Sequence, residues 1–310
     1  MTVSTVGVPA PSELPAAGPA SGGTGSSRFK RAGNYVALIP FHAYVGLFLL
    51  FPTLVVAIGA FTTSKGQLTL DNIGAVFATK AFIDSFVVSI QLALVTALLG
   101  AILGGLLSWA VVRGNPNGTL RQLVVAACGV LAQFGGVMLT FAFLAFVGYE
   151  GMVTLFIQNN IVHTKLDMSW VYSLTGLIML YAYFQIPLML IVFLPSLDGL
   201  RQEWYDASAS LGGGAWSFWR NVGGPILAPS FLGALLLLFT NAFSAYATAQ
   251  ALISQGCGLV TQQIACQIQS EVMIGRENVG KALALGMIII VATVMLLYAY
   301  IQRRASRWVK

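Results

Sequence analysis

The chain has 310 residues, of which 57% are hydrophobic and only 8% are charged. The charged fraction is about a third of that of a typical soluble domain, so the composition excludes a water-soluble globular protein and indicates a polytopic membrane protein. The formal net charge of +6 comes from 16 basic residues that are scattered between apolar runs, which argues against nucleic acid as a partner.

The first 27 residues have the composition of a disordered tail. They hold four prolines among Ala, Gly and Ser, and Glu13 is their only charge, so they cannot bury a core. They do not form a secretory signal, because no basic region precedes an apolar stretch there. Instead, Arg28, Lys30 and Arg31 come directly before the first apolar run. We therefore expect that run to be an uncleaved membrane anchor.

Six apolar runs follow, each longer than the roughly 18 residues that cross a bilayer as a helix. Lipid offers the backbone no hydrogen-bond partners, so each run must be helical. The predicted fold class is an all-α membrane protein with a single six-helix domain over residues 28–310. The expected spans are 35–61, 86–112, 122–148, 169–195, 226–252 and 281–301.

The basic residues in the flanks of the runs predict the orientation. With the amino terminus inside, eleven of the sixteen lie on the cytoplasmic side and five lie outside. The inner group comprises Arg28, Lys30, Arg31, Arg113, Arg121, Arg201, Arg220, Arg303, Arg304, Arg307 and Lys310. The outer group comprises Lys65, Lys80, Lys165, Arg276 and Lys281. We therefore expect a multi-pass protein of the cell (inner) membrane with both termini in the cytoplasm.

Three outer segments, 62–85, 149–168 and 253–280, are long enough to hold short interfacial helices. We expect them to face a protein that delivers the solute.

The chain has three cysteines. Cys128 lies inside an apolar run, where a thiol is most often a small packing residue. Cys257 and Cys266 flank one polar segment, and they are candidates for a disulfide if that segment faces an oxidising exterior. Spacing alone does not establish the geometry that a disulfide requires.

Few polar residues fall in the apolar runs. We expect uncharged amides in these runs to form hydrogen bonds to neighbouring helices, each of which stabilises the fold by about 0.6 kcal/mol. The amide residues are Gln91, Gln133, Gln185, Asn241 and Gln250. The alternative for Asn241, Tyr246 and Gln250 is a role in lining a translocation pathway. No acidic or basic residue lies deep in a run, which argues against a proton relay. Gly100 and Gly104 form a GxxxG pattern that permits close helix packing.

A polar loop at about 196–225 separates the fourth and fifth runs. Its residues fall at fixed offsets: an acidic residue, two small residues, Leu-Gly, aromatic positions, an aliphatic residue and a proline. They are Asp206, Ala207, Ser208, Leu211, Gly212, Trp216, Trp219, Val222 and Pro225. This pattern resembles the EAA loop of ABC importer permeases. The chain departs from it with Asp206 in place of Glu, Ser208 in place of Ala and Gly224 in place of Leu.

The resemblance implies the fold of a type I ABC importer transmembrane domain and a subunit that is moved by a separate ATPase. The implied partners are ABC ATPase subunits, a second permease subunit that is identical or different, an extracytoplasmic solute-binding protein and membrane lipid. ATP and Mg would be used by the ATPase, and no cofactor is expected on this chain. In the loop, Gly212 to Gly214 would form the turn, Pro225 would start the next span, and Trp216, Phe218 and Trp219 would bury against the inner membrane surface.

A looser resemblance covers residues 133–143, the run QFGGVMLTFAF. This run is similar to the third-helix region of permeases in the polyamine, ferric-iron and aminoalkylphosphonate branch. It implies a small charged organic solute such as a polyamine or aminoalkylphosphonate, with sugar or ferric iron as alternatives. The paired glycines 135 and 136 are expected to pack helices closely.

Missing motifs separate the remaining hypotheses. The sequence has no GxxxxGK[ST] phosphate loop, no HExxH and no GxSxG, which favours a transport subunit without its own ATPase, metal or catalytic site. The rival hypotheses are a secondary transporter or channel that is not driven by ATP, and a membrane enzyme or scaffold. Both leave the loop pattern unexplained.

Overall fold

The computed structural model describes residues 40–63, 65–114, 118–164, 167–253, 258–269 and 277–305. The predicted tail 1–27 lies outside these residues. The chain divides into two units, 1–54 and 55–310. Described residues 40–54 of the first unit are helical. All further contacts given below lie within the second unit.

The structure is helical, as the composition predicted. Among the described residues, the only strand-like pairing is one isolated bridge between Thr62 and Leu68. The α-helices are α1 Phe51–Ala60, α2 Asp71–Ala78, α3 Lys80–Arg113, α4 Thr119–Gln133, α5 Gly136–Val147, α6 Met152–Ile157, α7 Leu174–Asp198, α8 Gln202–Ser210, α9 Ala215–Phe218, α10 Gly224–Ser244, α11 Ala247–Leu252, α12 Val260–Gln269 and α13 Glu277–Ala305.

Six helical segments in the described residues are long and apolar enough to cross a membrane. They are Pro40–Ala60, Lys80–Arg113, Gly136–Ile161, Leu174–Asp198, Ala215–Ser244 and Glu277–Arg303. The number of spans agrees with the sequence prediction. The short helices α2 and α12 lie in two of the three segments where interfacial helices were expected, whereas α6, in the remaining one, belongs to the span Gly136–Ile161.

The third predicted run, 122–148, is not one helix. Helix α4 ends at Gln133 and α5 begins at Gly136, because Gly135 is extended and Gly136 has a φ of +69°, which an L side chain rarely adopts. A Cβ added at Gly135 would meet nothing within 4 Å. The expectation of close helix packing is therefore wrong for Gly135, whereas a Cβ at Gly136 would lie 3.8 Å from Cβ of Ala247, an ordinary contact. Both glycines contribute to the break in the helix.

The fifth predicted run, 226–252, is also broken. Helix α10 ends at Ser244, and α11 begins at Ala247. The two breaks meet, because the backbone N–H of Gly136 donates to Oγ1 of Thr248 at 3.1 Å. Tyr181 Oη donates to the carbonyl of Ala245 at 2.9 Å. Backbone groups that the breaks leave unpaired are thus satisfied inside the protein, as hydrocarbon requires.

The core lies where α3, α7 and α10 pack together. Gly100 and Gly104 of α3 face α7: a Cβ at Gly100 would lie 2.7 Å from Cβ of Gln185, and one at Gly104 would lie 2.5 Å from Cβ of Met189. The GxxxG pattern therefore packs two helices of the same chain. Its close approach depends on the missing side chains.

Gln185 is fully buried and joins two spans, since its Nε2 donates to the carbonyl of Leu238 at 2.9 Å. The prediction of an interhelical hydrogen bond is confirmed for this residue. Gln91 and Gln133 are exposed in the isolated chain, so the interhelical hydrogen bonds expected of them stay predictions. The prediction that Cys128 packs in the interior is confirmed, because it is buried with Leu190 and Leu194.

Cys266 lies on α12 and is disulfide-bonded. Cys257 lies outside the described residues. The pairing of these two cysteines therefore stays a prediction.

Replacing Gly104 by Ala is expected to destabilise the protein. The new Cβ would also lie 2.6 Å from the carbonyl oxygen of Ile186, so α3 and α7 must separate, at a cost of about 1–3 kcal/mol. Thermal unfolding in detergent, followed by tryptophan fluorescence, should show a melting temperature lowered by several degrees. Gly129→Ala is the matched control, since a Cβ there meets nothing within 4 Å. Equal melting temperatures for both variants would contradict the close packing.

Candidate functional site

The loop between the fourth and fifth spans folds into a compact helical hairpin. Helix α8 is followed by a glycine turn, then by α9 and a π-helical turn, Trp219–Gly223, that leads into α10. Pro225 lies in the first turn of α10, as predicted, where its missing N–H costs nothing.

The turn after α8 requires glycine at position 212. Gly212 has a φ of +80°, its N–H donates to the carbonyl of Ala209 at 2.9 Å, and the N–H of Gly213 donates to the carbonyl of Ser208 at 2.9 Å. This pair of hydrogen bonds is a Schellman motif, which satisfies the last carbonyls of a helix. A side chain at position 212 would strain the left-handed backbone by about 1–2 kcal/mol.

Aromatic residues anchor the hairpin to the bundle. Phe218 is buried, with its ring edge-on to Tyr205 at 5.3 Å and to Trp219 at 5.7 Å between centroids. Trp219 is partly buried and packs against the main core. Trp216 was expected to be buried as well, but it is 78% exposed in the isolated chain. The hairpin is thus anchored by two of the three predicted aromatic residues.

The base of the loop is also held by an ion pair. Arg121, at the start of α4, donates from its guanidinium to the carboxylate of Asp198, the last residue of α7. This pair carries no signal in the sequence, because the two residues lie 77 positions apart. It links α4 to the helix from which the hairpin emerges.

The outer surface of the hairpin is apolar and concave. Leu211, at the tip, is 90% exposed. Next to it, a groove of about 420 Å³ runs between α8 and the segment 217–222. It is lined by Trp204, Ala207, Ser208, Leu211, Gly213, Ser217, Asn221 and Val222. Four of these residues belong to the pattern identified in the sequence, whereas Trp204, Gly213, Ser217 and Asn221 were not among its positions.

Asp206 is exposed on α8. Its carboxylate accepts a hydrogen bond from Nε2 of Gln202 at 3.3 Å. It lies beyond the first turn of the helix, where the helix dipole has fallen off. An exposed carboxylate at this position is suited to an ion pair with a basic group of a partner.

The three predicted pathway residues lie around the break in the fifth predicted run, 226–252. Asn241 is exposed on α10, Tyr246 lies in the break itself, and Gln250 lies on α11 and is partly buried. The amide of Asn241 makes no hydrogen bond to the part of the chain that the structure describes. It is therefore available to a partner or a solute.

Helix α10 also exposes a stripe that the sequence analysis overlooked. Ser230, Leu237, Asn241 and Ser244 are all exposed, and their spacings of seven, four and three residues place them on one helix face. Helical periodicity in the sequence was the signal that could have found them. Neutral polar groups on a spanning helix are poorly matched to lipid, so this face is suited to a partner or an aqueous path.

The described residues contain no group of three or more His, Cys, Asp or Glu side chains that could hold a metal ion.

Three comparisons relate this geometry to known proteins. Residues 161–310 match the family described as binding-protein-dependent transport system inner membrane component. A probable starch degradation products transport system permease protein, AmyD of Thermoanaerobacterium thermosulfurigenes, is 25% identical over 130 residues. That match covers 42% of this chain and 44% of the relative, so it spans less than half of either protein.

Two solved structures share the fold. One is a bacterial ABC transporter involved in the import of the acidic polysaccharide alginate, with a TM-score of 0.68, 14% identity, and coverage of 91% of this chain and 98% of the other. The second is a bacterial alginate ABC transporter in complex with its pentasaccharide-bound periplasmic protein, with a TM-score of 0.68, 15% identity, and coverage of 89% and 96%.

The six apolar spans and this likeness confirm the predicted type I ABC importer transmembrane fold. The match to the family described as binding-protein-dependent transport system inner membrane component covers residues 161–310, just under half of the chain.

Proposed function

We propose that this chain is the permease subunit of an ATP-driven importer and that its hairpin, residues 202–223, docks on a separate ATPase. The observation that carries the proposal is the contrast between the two sides of the hairpin. Phe218 is buried against the bundle, whereas Leu211 and the groove beside it are open. An exposed apolar tip on a rigid base is suited to a protein partner rather than to water.

The small residues of the hairpin suit close docking. Ala207, Ser208 and Gly213 line the groove, so a partner's side chain can approach the backbone of α8. ATP binding would close a pair of ATPase subunits around the hairpin, and the motion would turn the bundle between inward-facing and outward-facing states. ATP and Mg belong to the ATPase in this proposal.

The hairpin end of the bundle is assigned to the cytoplasm, with both termini on the same side. The distribution of basic residues along the sequence supports this orientation. On the opposite side, an extracytoplasmic solute-binding protein would deliver solute to the segments that hold α2, α6 and α12. A disulfide between Cys257 and Cys266 would stabilise the last of these segments in an oxidising exterior.

The pathway would run along the exposed stripe of α10, between this chain and a second permease subunit. Asn241, Tyr246 and Gln250 are proposed to line it. The stripe follows the hairpin directly in the chain, so movement of the hairpin reaches it without passing through another helix.

We propose a saccharide as the leading solute class. The relatives are named for starch degradation products and for alginate, and the stripe on α10 offers hydroxyl and amide groups without a charge. The small charged organic solute expected from residues 133–143 becomes the second candidate, because the glycines of that run break a helix and none of these relatives is named for a polyamine or a phosphonate. Uptake of labelled oligosaccharide, spermidine and 2-aminoethylphosphonate by proteoliposomes that contain the full complex would decide between them.

A secondary transporter or channel is the alternative function. It would use the same spans, but it offers no role for the open groove and the exposed Leu211.

Leu211→Asp should weaken binding of the ATPase. Burying a leucine contributes about 1.5–3 kcal/mol, so its loss should lower affinity by roughly tenfold to a hundredfold. The measurement is the amount of ATPase that co-purifies with the tagged chain in mild detergent. Leu68→Asp is the matched control, because Leu68 is 85% exposed and follows α1, far from the hairpin in sequence. Undiminished recovery of ATPase with the Leu211 variant would contradict docking at the tip.

Asn241→Leu should slow transport while leaving ATPase recovery unchanged. Loss of one hydrogen bond to the solute, about 0.5–1.5 kcal/mol, corresponds to roughly a twofold to tenfold lower rate of uptake. Thr293→Val serves as the control, since the Thr293 hydroxyl is exposed on α13 and donates to its own helix at the Ile289 carbonyl, 2.7 Å away. If both variants transport at the wild-type rate, Asn241 does not line the pathway.

A further inference from the structure

A second cavity, of about 290 Å³, lies at the base of the hairpin. It is formed where the end of α3 meets the α7–α8 junction and the segment 215–219. Its lining includes Trp109, Arg113, Arg201, Tyr205, Phe218 and Trp219. Neither the transport pathway nor the docking tip uses this cavity.

The cavity has two guanidinium groups without an acidic partner. Neither Arg113 nor Arg201 has a carboxylate within ion-pair distance in the described part of the chain. Glu203, two positions after Arg201, forms no ion pair within the described residues, and Asp198 pairs with Arg121 instead. Arg113 instead lies over the ring of Trp109, with 4.2 Å from its Cζ to the ring centroid. Two positive charges therefore border the cavity and remain available to an anion.

Apart from the two arginines, Gln202 and the hydroxyl of Tyr205, the lining is apolar. Val112, Leu197 and Leu200 contribute aliphatic side chains, and Phe218 contributes a buried ring. A free inorganic anion would gain nothing from this surface. A ligand that joins an anionic group to hydrocarbon would use both parts of the cavity.

The position of the cavity along the helices fits such a ligand. Arg113 is the last residue of the long spanning helix α3, and Trp109 lies one turn earlier. Tryptophan and arginine at the end of a spanning helix are typical of the boundary between lipid and water. The phosphate headgroups of lipids lie at this depth, and the acyl chains of the same lipids point toward the interior of the bilayer.

We propose that this cavity binds an anionic phospholipid, with Arg113 and Arg201 holding its phosphate group and the apolar wall holding the start of its acyl chains. The assignment to the cytoplasmic leaflet rests on the proposed function. The bound lipid contacts α3 and the first residues of the hairpin at the same time. It therefore ties the base of the hairpin to the membrane surface.

Native mass spectrometry of the full-length chain in detergent tests this site. Phosphatidylglycerol is added in competition with phosphatidylcholine, and the ratio of the two lipids retained on the protein is measured. The wild-type chain should retain phosphatidylglycerol preferentially. In the double variant Arg113→Gln with Arg201→Gln, the ratio of retained phosphatidylglycerol to phosphatidylcholine should fall roughly fivefold for each arginine replaced. Arg220→Gln is the matched control, because Arg220 is exposed on the same hairpin and does not line the cavity.

Three results would overturn the proposal. The double variant could keep the wild-type ratio, or Arg220→Gln could reduce it equally, which would indicate a general attraction of charge. Complete displacement of phosphatidylglycerol by inorganic phosphate alone would identify a small-anion site instead. If the double variant does not fold, the single variants carry the test, each with a loss of about fivefold. Because the measurement uses this chain without an ATPase, its failure is distinct from failure of the proposed function.

Discussion

The contact of α3 with α7 and α10 is the interaction on which the rest of the structure depends. Between α3 and α7, glycines at positions 100 and 104 bring the two backbones together, and no side chain larger than hydrogen fits there. Gln185 then joins α7 to α10. The hairpin connects α7 and α10, so both of its ends start from helices that are fixed on one central helix. A force applied to the hairpin therefore acts on a rigid base.

Lipid imposes the second constraint, since a backbone break inside it must find its hydrogen bonds within the protein. The breaks in the third and fifth predicted runs meet this requirement by pairing with each other through Thr248, with Tyr181 satisfying the carbonyl of Ala245. This arrangement also has a mechanical consequence. Thr248 lies on α11, so a movement of α11 would be passed to the start of α5 through this side chain. In the proposed transport cycle, that bridge is how the third span would follow α11.

Residue composition and hydrophobic run length were sufficient to predict the helical class, the number of spans and the position of the hairpin, because lipid leaves the backbone few alternatives. The glycine turn was also predictable, since Gly212 stands where a helix must end. The breaks were not predictable, because glycine pairs such as 135 and 136 serve both to pack helices and to interrupt them. The Arg121–Asp198 pair and the cavity at Arg113 were missed because they depend on contacts between residues distant in the sequence. Whether Trp216 is buried depends on partners or lipid outside the chain.

The most direct test of the proposed coupling role is site-specific photocross-linking from position 211 in native membranes. A photoreactive amino acid replaces Leu211, the membranes are irradiated, and the cross-linked protein is identified by mass spectrometry, with the same probe at Leu68 as the reference. If the hairpin docks on an ATPase, a protein carrying a phosphate loop will be the main protein captured at position 211 and will be absent at position 68. Capture of lipid alone at position 211, in membranes where the ATPase is present, would contradict it.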